Sequence, residues 1–362
     1  MKSFKSFVLF FVCTISFLSI ISAIPAYATT AMYTGNGYDL KIVYNQNLCP
    51  GDPVFLVAQF NFSSSYFKKL KKSGFIDKNL DKKDCVVGKG EIIDKESGKQ
   101  VRMGNLFTIN SPTSQIKSQN KNSCSVSCMI PTSSFLSPND YDLKVSFSIA
   151  GHGKKHFTLP LVCTEKEFVS EDIPLNAKNT SIKQNVSPQR MSQINKLNTV
   201  LGTADFEGYT KMQSFPSFSE PLVCNRRTSY FADRRKFIYT DGTSSTGLHY
   251  GIDYGVKTGT DVHACANGKV VLAEDRVSTG WSICIEHLPG LYSLYYHLDS
   301  MEVKVGDKVK QGERIGKSGC TGLATGPHLH WEIRLNMEAI NPDWLVNEFT
   351  AVLLPEIEMF LH

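Results

Sequence analysis

The sequence lacks the features that mark several large classes of protein. Its 362 residues carry a formal net charge of only +5. The one dense basic cluster, Lys68-Lys69-Leu70-Lys71-Lys72, has no interleaved aromatics. Nucleic-acid recognition needs a basic patch or stripe, so no nucleic-acid partner is expected, and the cluster reads as a solvated face. The mild positive balance still suits an anionic cell-envelope polymer, through screened attraction. Beyond the N-terminus, no apolar stretch reaches membrane-spanning length. The cysteines form no paired C-x-x-C spacing of a structural metal site, and Cys124 and Cys128 stand isolated. The region before residue 165 offers no nucleophile constellation, which leaves binding, spacing or autoinhibition open to it.

What is present begins with an export signal. Lys2 and Lys5 precede an apolar run over residues 7–24, and Ala26-Tyr27-Ala28 follows with small residues where a signal peptidase cuts. A signal peptide over residues 1–28 is therefore expected. A retained anchor helix is the alternative, because the run approaches spanning length. Cys13 lies inside the run without the small residues that precede a lipidated cysteine. The mature chain is expected to be exported to the periplasm or cell envelope, or secreted, with no membrane span after signal cleavage. Nine cysteines then remain, an odd number that leaves at least one thiol unpaired within a monomer. Five of them precede residue 165, where disulfides would suit an oxidising compartment. Their connectivity is not readable from spacing.

The fold class expected is all-β, mainly antiparallel, in two domains. Over residues 30–165, short apolar or alternating runs (40–44, 54–60, 101–109, 124–130, 141–149 and 156–162) are separated by turn signals such as Cys49-Pro50-Gly51-Asp52-Pro53 and Ser137-Pro138-Asn139-Asp140. This spacing suggests an immunoglobulin-like β-sandwich. Residues 166–204 read as a linker, polar to Asn185 and then helical. There Ser187 is an N-cap, Pro188 takes the first helical position, and Met191, Ile194, Leu197, Val200 and Leu201 make an apolar face closed by Gly202. A second β-rich domain is expected over 205–348, with a C-terminal tail over 349–362.

Chemistry-bearing residues concentrate in that second domain. In TGLHYGIDYGV, His249 and Asp253 are four apart among three glycines. On a straight strand they would lie about 13 Å apart, too far to share one metal ion, and the glycines disfavour a helix. A bend at Gly251 would bring them together. His297 follows in an alternating run, Leu291 to Leu298. In TGPHLHWEIRL, His328 and His330 point to one face of an extended strand, about 6.6 Å apart, while Leu329 points to the other. Two imidazoles so placed share a metal, a nucleophile or each other.

The ordered set His249-x-x-x-Asp253, Tyr296-His297-Leu298 and Gly326-Pro327-His328-Leu329-His330-Trp331-Glu332 resembles the lysostaphin-type, or LytM, zinc metallopeptidases that cut peptidoglycan cross-links. Thr228-Ser229-Tyr230-Phe231 with Arg234-Arg235, Gly268-Lys269-Val270-Val271, Val305-Gly306-Asp307-x-Val309 and Asn341-Pro342 extend the likeness over residues 212–345. The resemblance implies a LytM-like β-sheet domain with an open groove. It implies one Zn2+ on His249, Asp253 and His330 with a fourth position left for water, and His297 and His328 assisting catalysis without binding metal. Peptidoglycan cross-link peptides would be the substrate, through D,D-endopeptidase or glycyl-glycine endopeptidase activity. The rival expectation is a catalytically silent envelope regulator or binding module. Two departures stand out: Ala232 where the family often has glycine, and Cys320 where a small polar residue is usual. Cys265, Cys284, His263 and His287 match no ligand position and are read as structural. A last expectation is an intramolecular contact between the N-terminal domain and the catalytic groove.

Overall fold

The computed structural model describes residues 28–72, 86–109, 122–149, 152–204 and 215–361. The expected signal segment up to Tyr27, with Cys13 in it, and Cys85 lie outside the described residues. The chain begins β1 (Thr29–Gly35), β2 (Tyr38–Tyr44), β3 (Asn47–Leu48), β4 (Val54–Phe62), α1 (Ser64–Lys72), β5 (Val86–Asp94), β6 (Gln100–Asn105), β7 (Phe107–Ile109), β8 (Ser123–Ile130), β9 (Asn139–Ile149) and β10 (His152–Cys163). These strands make two five-stranded sheets, ordered β1-β2-β4-β8-β7 and β3-β10-β9-β5-β6. Apart from the short parallel pair of β3 with β10, their ladders are antiparallel.

β4 explains how this half meets the rest of the chain. Its sequence VFLVAQFNF is nearly continuous in apolar residues, the signature of a strand covered on both faces. Val54, Leu56, Ala58 and Phe60 enter a cluster with Leu143, Val145, Phe147 and Leu161 of the second sheet. Phe55 and Val57 point the other way and join a core built mainly from the second half. There the Phe55 ring lies 5.0 Å from that of Phe349 and 5.4 Å from that of Phe215.

The second half runs β11 (Ser170–Pro174), α2 (Ala177–Gln184), α3 (Pro188–Leu201), β12 (Arg227–Ser229), β13 (Arg234–Ile238), β14 (Ser244–Leu248), β15 (Gly251–Tyr254), β16 (Asp261–His263), β17 (Gly268–Arg276), β18 (Gly280–Leu288), β19 (Leu291–Met301), β20 (Lys308–Val309), β21 (Arg314–Ser318), β22 (Leu329–Leu335) and β23 (Glu338–Ile340). The order β12-β15-β22-β19-β18-β17-β20 forms the spine of a ten-stranded sheet, and β11-β13-β14 makes a smaller one. All pairings here are antiparallel except β11 with β13. The whole fold is thus mostly antiparallel β.

Two segments differ from the sequence reading. Residues 164–185, polar enough to read as plain linker, contain β11 and α2. Hydrogen bonding organises them, since β11 pairs with β13 and the Asn176 side chain caps α2 by accepting from the Asn179 N–H. Residues 349–361 are helical, a π-helix over Trp344–Leu353 running into α4 (Leu354–Leu361). Phe349, Leu353 and Ile357 are buried in the shared core, so the segment packs as part of the domain. In α3, the Ser187 hydroxyl accepts from the Arg190 N–H, and Leu197, Val200 and Leu201 pack against Leu272, Cys284 and Tyr292. Among the described residues no helix is long and apolar enough to cross a membrane.

Candidate metal centre

The site is built where β15 and β22 pair. Asp253 stands opposite His330 in that ladder, so its carboxylate meets the imidazole across one strand spacing. His249 lies in the two-residue break between β14 and β15, where its backbone N–H donates to Asp233 and its carbonyl accepts from Ala232. That break carries out the bend required by the H-x-x-x-D spacing. Gly251 serves a different need from the one the spacing suggested. A Cβ there would collide with the carbonyl oxygen of Trp331, so glycine permits β15 to approach β22.

The donor atoms converge. His249 Nε2 lies 3.0 Å from Asp253 Oδ1 and 3.0 Å from His330 Nδ1, and His330 Nδ1 lies 2.9 Å from Asp253 Oδ1. Each of the other ring nitrogens has its own partner. His249 Nδ1 is 2.8 Å from the Tyr230 carbonyl oxygen, and His330 Nε2 is 3.4 Å from Glu332 Oε2. A ring that donates through one nitrogen presents a lone pair at the other, so both converging nitrogens are set up as ligands. Four ligands at about 2.0–2.1 Å around zinc stand roughly 3.3 Å apart, and a triangle with sides near 3 Å suits such an ion. Among the described residues this is the one group of three or more such side chains close enough to hold a metal.

Charge at the site follows the same geometry. Burial raises the Asp253 pKa, but His249 and His330 outweigh it and hold the carboxyl well below the usual range. Burial also works against an imidazolium at His330, yet the hydrogen bonds to Asp253 and Glu332 lift that residue to about 9.

His297 and His328 lie beside the triad. Their ring centroids are 4.7 Å apart, and His297 is 6.2 Å from His330. His297 Nδ1 donates to the Thr321 carbonyl and His328 Nδ1 to that of Gly326, each over 2.8 Å, which leaves both Nε2 atoms as potential proton acceptors. His328 Nε2 comes within 3.8 Å of Asp253 Oδ1. Burial, with His328 and His330 nearby, presses the His297 pKa down to about 3, so its ring is neutral at physiological pH. Its backbone has φ of +61°, a conformation rare for a residue with a side chain. The cause is a bulge. Between the pairs Ile283 with Tyr295 and Trp281 with Leu298, β19 has one more residue than β18, which re-aims the side chain.

The five expected site residues are therefore neighbours. Sequence reasoning assigned no role to Glu332, Arg235, Glu171 or Asn179. Glu332 had a signal, because it shares a strand face with His328 and His330. Arg235 donates from Nη2 to Asp253 Oδ2 over 3.0 Å and from Nε to Glu171 Oε1 over 2.9 Å. No local spacing connects these three.

The linker bonds to segments that lead into the site. The Leu175 N–H donates to the Ile238 carbonyl, the Thr180 hydroxyl accepts from the Thr240 N–H, and Asn179 Nδ2 donates to the Ala324 carbonyl. α2 thus ties the β13–β14 hairpin ahead of His249 to the loop ahead of His328. Asn179 is 1% exposed, and His249, Asp253 and His330 are 2–8% exposed. These contacts come from the linker. The first domain touches the neighbouring strand, where Arg234 donates to the Ser134 carbonyl and stacks on Phe135.

The cysteines play no part in the donor set. Among the described residues, Cys49, Cys128, Cys163, Cys224, Cys265, Cys284 and Cys320 are free thiols. Cys284 is buried on β18, and Cys265 occupies a bend after β16 rather than a strand, with its sulfur 3.6 Å from His287 Nε2. His287 completes a buried network, with Nδ1 donating to the Asn267 carbonyl and Nε2 2.7 Å from Ser293 Oγ. His263 sits in the β16–β21 ladder.

Comparison with known proteins matches the stretch of sequence that carries this site to a family. The description "Peptidase family M23" fits residues 247–342, which include all five site residues. Over 123 residues the chain is 40% identical to the DD-carboxypeptidase/endopeptidase Mpg of Neisseria meningitidis, a match covering 34% of this chain and 27% of that protein. It is 42% identical over 92 residues to the glycyl-glycine endopeptidase ALE-1 of Staphylococcus capitis, covering 25% of each. The chain thus spans about a quarter of the length of these curated relatives. Among solved structures, the catalytic domain of the prophage-encoded M23 protein EnpA from Enterococcus faecalis is 32% identical, with 34% of this chain and 95% of that chain covered and a TM-score of 0.30. The match to peptidase family M23 thus falls on the C-terminal part of the chain, residues 247–342.

Proposed function

We propose that the chain is an exported zinc-dependent endopeptidase that hydrolyses peptide cross-links of peptidoglycan. The observation that carries this reading is the convergence of His249 Nε2, Asp253 Oδ1 and His330 Nδ1 beside two further imidazoles with free Nε2 atoms. Zinc held by those three residues would supply Lewis acidity, lowering the pKa of a water and polarising the scissile carbonyl. His297 or His328 accepts the water proton at Nε2, and the imidazolium formed there returns that same proton to the leaving amine. The relatives' names, one a DD-carboxypeptidase/endopeptidase and one a glycyl-glycine endopeptidase, support cross-link peptides as substrates. An export signal with no recognisable wall-targeting repeat favours a periplasmic D,D-endopeptidase.

In this reading residues 1–28 are a cleaved signal, 30–165 an immunoglobulin-like sandwich, 166–204 the linker and 205–348 the peptidase domain. The Tyr141 hydroxyl, which donates to the Ser137 carbonyl four residues upstream, supports the sandwich assignment because a tyrosine tied back in this way marks such folds. Restraint of the enzyme by the linker helix α2 is part of this reading. α2 joins the two segments that lead into His249 and His328, which supports such restraint.

The test is digestion of defined muropeptides, D-alanyl-diaminopimelate cross-linked or glycine-bridged, with mass analysis of the products and metal content measured in parallel. His249→Ala should lose zinc and activity together. His328→Ala should keep zinc and lose activity by roughly 10²–10⁴-fold, the usual range for a positioned acid–base group. A metal-free wild type inert on every muropeptide would favour a regulator instead, and full turnover in both variants would overturn the site assignment.

A further inference from the structure

The Glu171–Arg235–Asp253 chain links the linker strand to a candidate metal ligand. Asp253 uses its two oxygens differently: Oδ1 faces His249 and His330, and Oδ2 accepts from Arg235 Nη2. A carboxylate is free to rotate about its terminal torsion, and nothing in its own chemistry selects one oxygen over the other. The guanidinium makes that selection. Arg235 in turn is held by its second arm, Nε, on Glu171 Oε1, and residues 171 and 235 are register partners in the parallel β11–β13 ladder. The guanidinium fork can serve two carboxylates at once in a fixed geometry, which a lysine ammonium cannot. The Arg235 and Asp253 side chains are 15% and 10% exposed and that of Glu171 is 34% exposed, so the end at Asp253 is screened from water better than the end on the linker.

We propose that Arg235 is a positioning residue that fixes Asp253 as a one-oxygen metal ligand, and that Glu171 of the linker strand holds Arg235 in place, so that linker docking sets the affinity of the site for its metal. This rests on the reading of His249, Asp253 and His330 as a metal centre. Arg235 alone would also draw charge from Asp253 and weaken it as a ligand. Glu171 balances that charge, leaving the chain Asp–Arg–Glu with one net negative charge for the cation. A linker that undocks therefore loosens the metal as well as exposing the groove.

The test uses the full chain stripped of metal with a chelator and titrated with Zn2+ against a competing chromophoric chelator, with a parallel Co2+ titration whose visible spectrum reports ligand geometry. Arg235→Ala should raise the dissociation constant about 10–100-fold, the range found for outer partners of metal ligands, and alter the Co2+ spectrum. Glu171→Gln keeps an acceptor oxygen but removes the charge, and should weaken binding about 3–10-fold, in the lower part of that range. If Arg235→Ala does not fold, Arg235→Lys, which can reach one carboxylate at a time, should give an intermediate dissociation constant. Wild-type affinity and spectrum in the arginine variants would overturn the positioning role. Weakened binding in them with unchanged affinity in Glu171→Gln would overturn the linker's part. Wild-type zinc affinity in His249→Ala would instead sink the metal-centre reading on which both depend.

Discussion

Ala232 occupies a backbone conformation made for another residue. Its φ is +65°, and the site is closed around it: its N–H donates to the His249 carbonyl and its carbonyl accepts from Arg234. The left-handed region costs a residue with a Cβ about 1–2 kcal/mol, which glycine avoids, although glycine is more disordered when unfolded. Ala232→Gly should therefore raise the unfolding free energy in urea by about 1 kcal/mol, while Ala232→Val should lower it. Equal stability of the three proteins would show that the strain is relieved elsewhere. The sequence made the departure visible at this position, but only the dihedral angle gives its cost. His297 presents the same contrast. Its identity was legible from the alternating run, whereas the bulge that turns it toward His328 depends on the register of β18, some fifteen positions back in the chain.

Among elements, α3 and α2 show what a local pattern can and cannot reveal. α3 has an N-cap hydroxyl, a proline in its first turn and three apolar residues that dock, so its limits follow from residues 187–202 alone. α2, AKNTSIKQ, has no apolar stripe and no acidic first turn. Its stability comes from a cap and from bonds to segments 60 and 145 residues away, which no window of sequence contains. The same bonds make it the element to loosen. Asn179→Ala combined with Thr180→Ala removes two ties across the site. It should raise turnover of soluble cross-linked muropeptides several-fold if α2 restrains the enzyme, and unchanged or lower turnover would refute latency. Gly251 gives the converse prediction for β15. Gly251→Ala drives a methyl into the Trp331 carbonyl and should separate β15 from β22, abolishing zinc binding as measured by metal content.

At the scale of the molecule, the His287 network makes stability depend on pH. Burial lowers the His287 pKa from 6.5 to about 4. Above pH 6.5 neither the folded nor the unfolded chain protonates this ring, and its neutral form is accommodated in full. As pH falls from 6.5 toward 4 the unfolded chain takes up the proton first, and stability is lost, by about 3 kcal/mol across that window. Urea midpoints measured between pH 7 and pH 4 should fall less steeply in His287→Gln than in the wild type, and parallel curves would show that other groups carry the acid sensitivity. The seam between the halves was the least legible part of the fold. The run in β4 announced burial on both faces, but its second cover, Phe215 and Phe349, lies more than 150 residues ahead.

That seam also governs assembly. Phe55 and Val57 of the first half complete the apolar interior of the second, and Asn341 of the second half closes the Gly51–Asp52 turn of the first through Gly51 O and Asp52 Oδ1. With such interlocking, the two halves should denature in a single calorimetric transition, which Phe55→Ala would move to lower temperature without splitting it. The shared interior makes the two halves one cooperative unit, in which neither buries its apolar residues fully without the other.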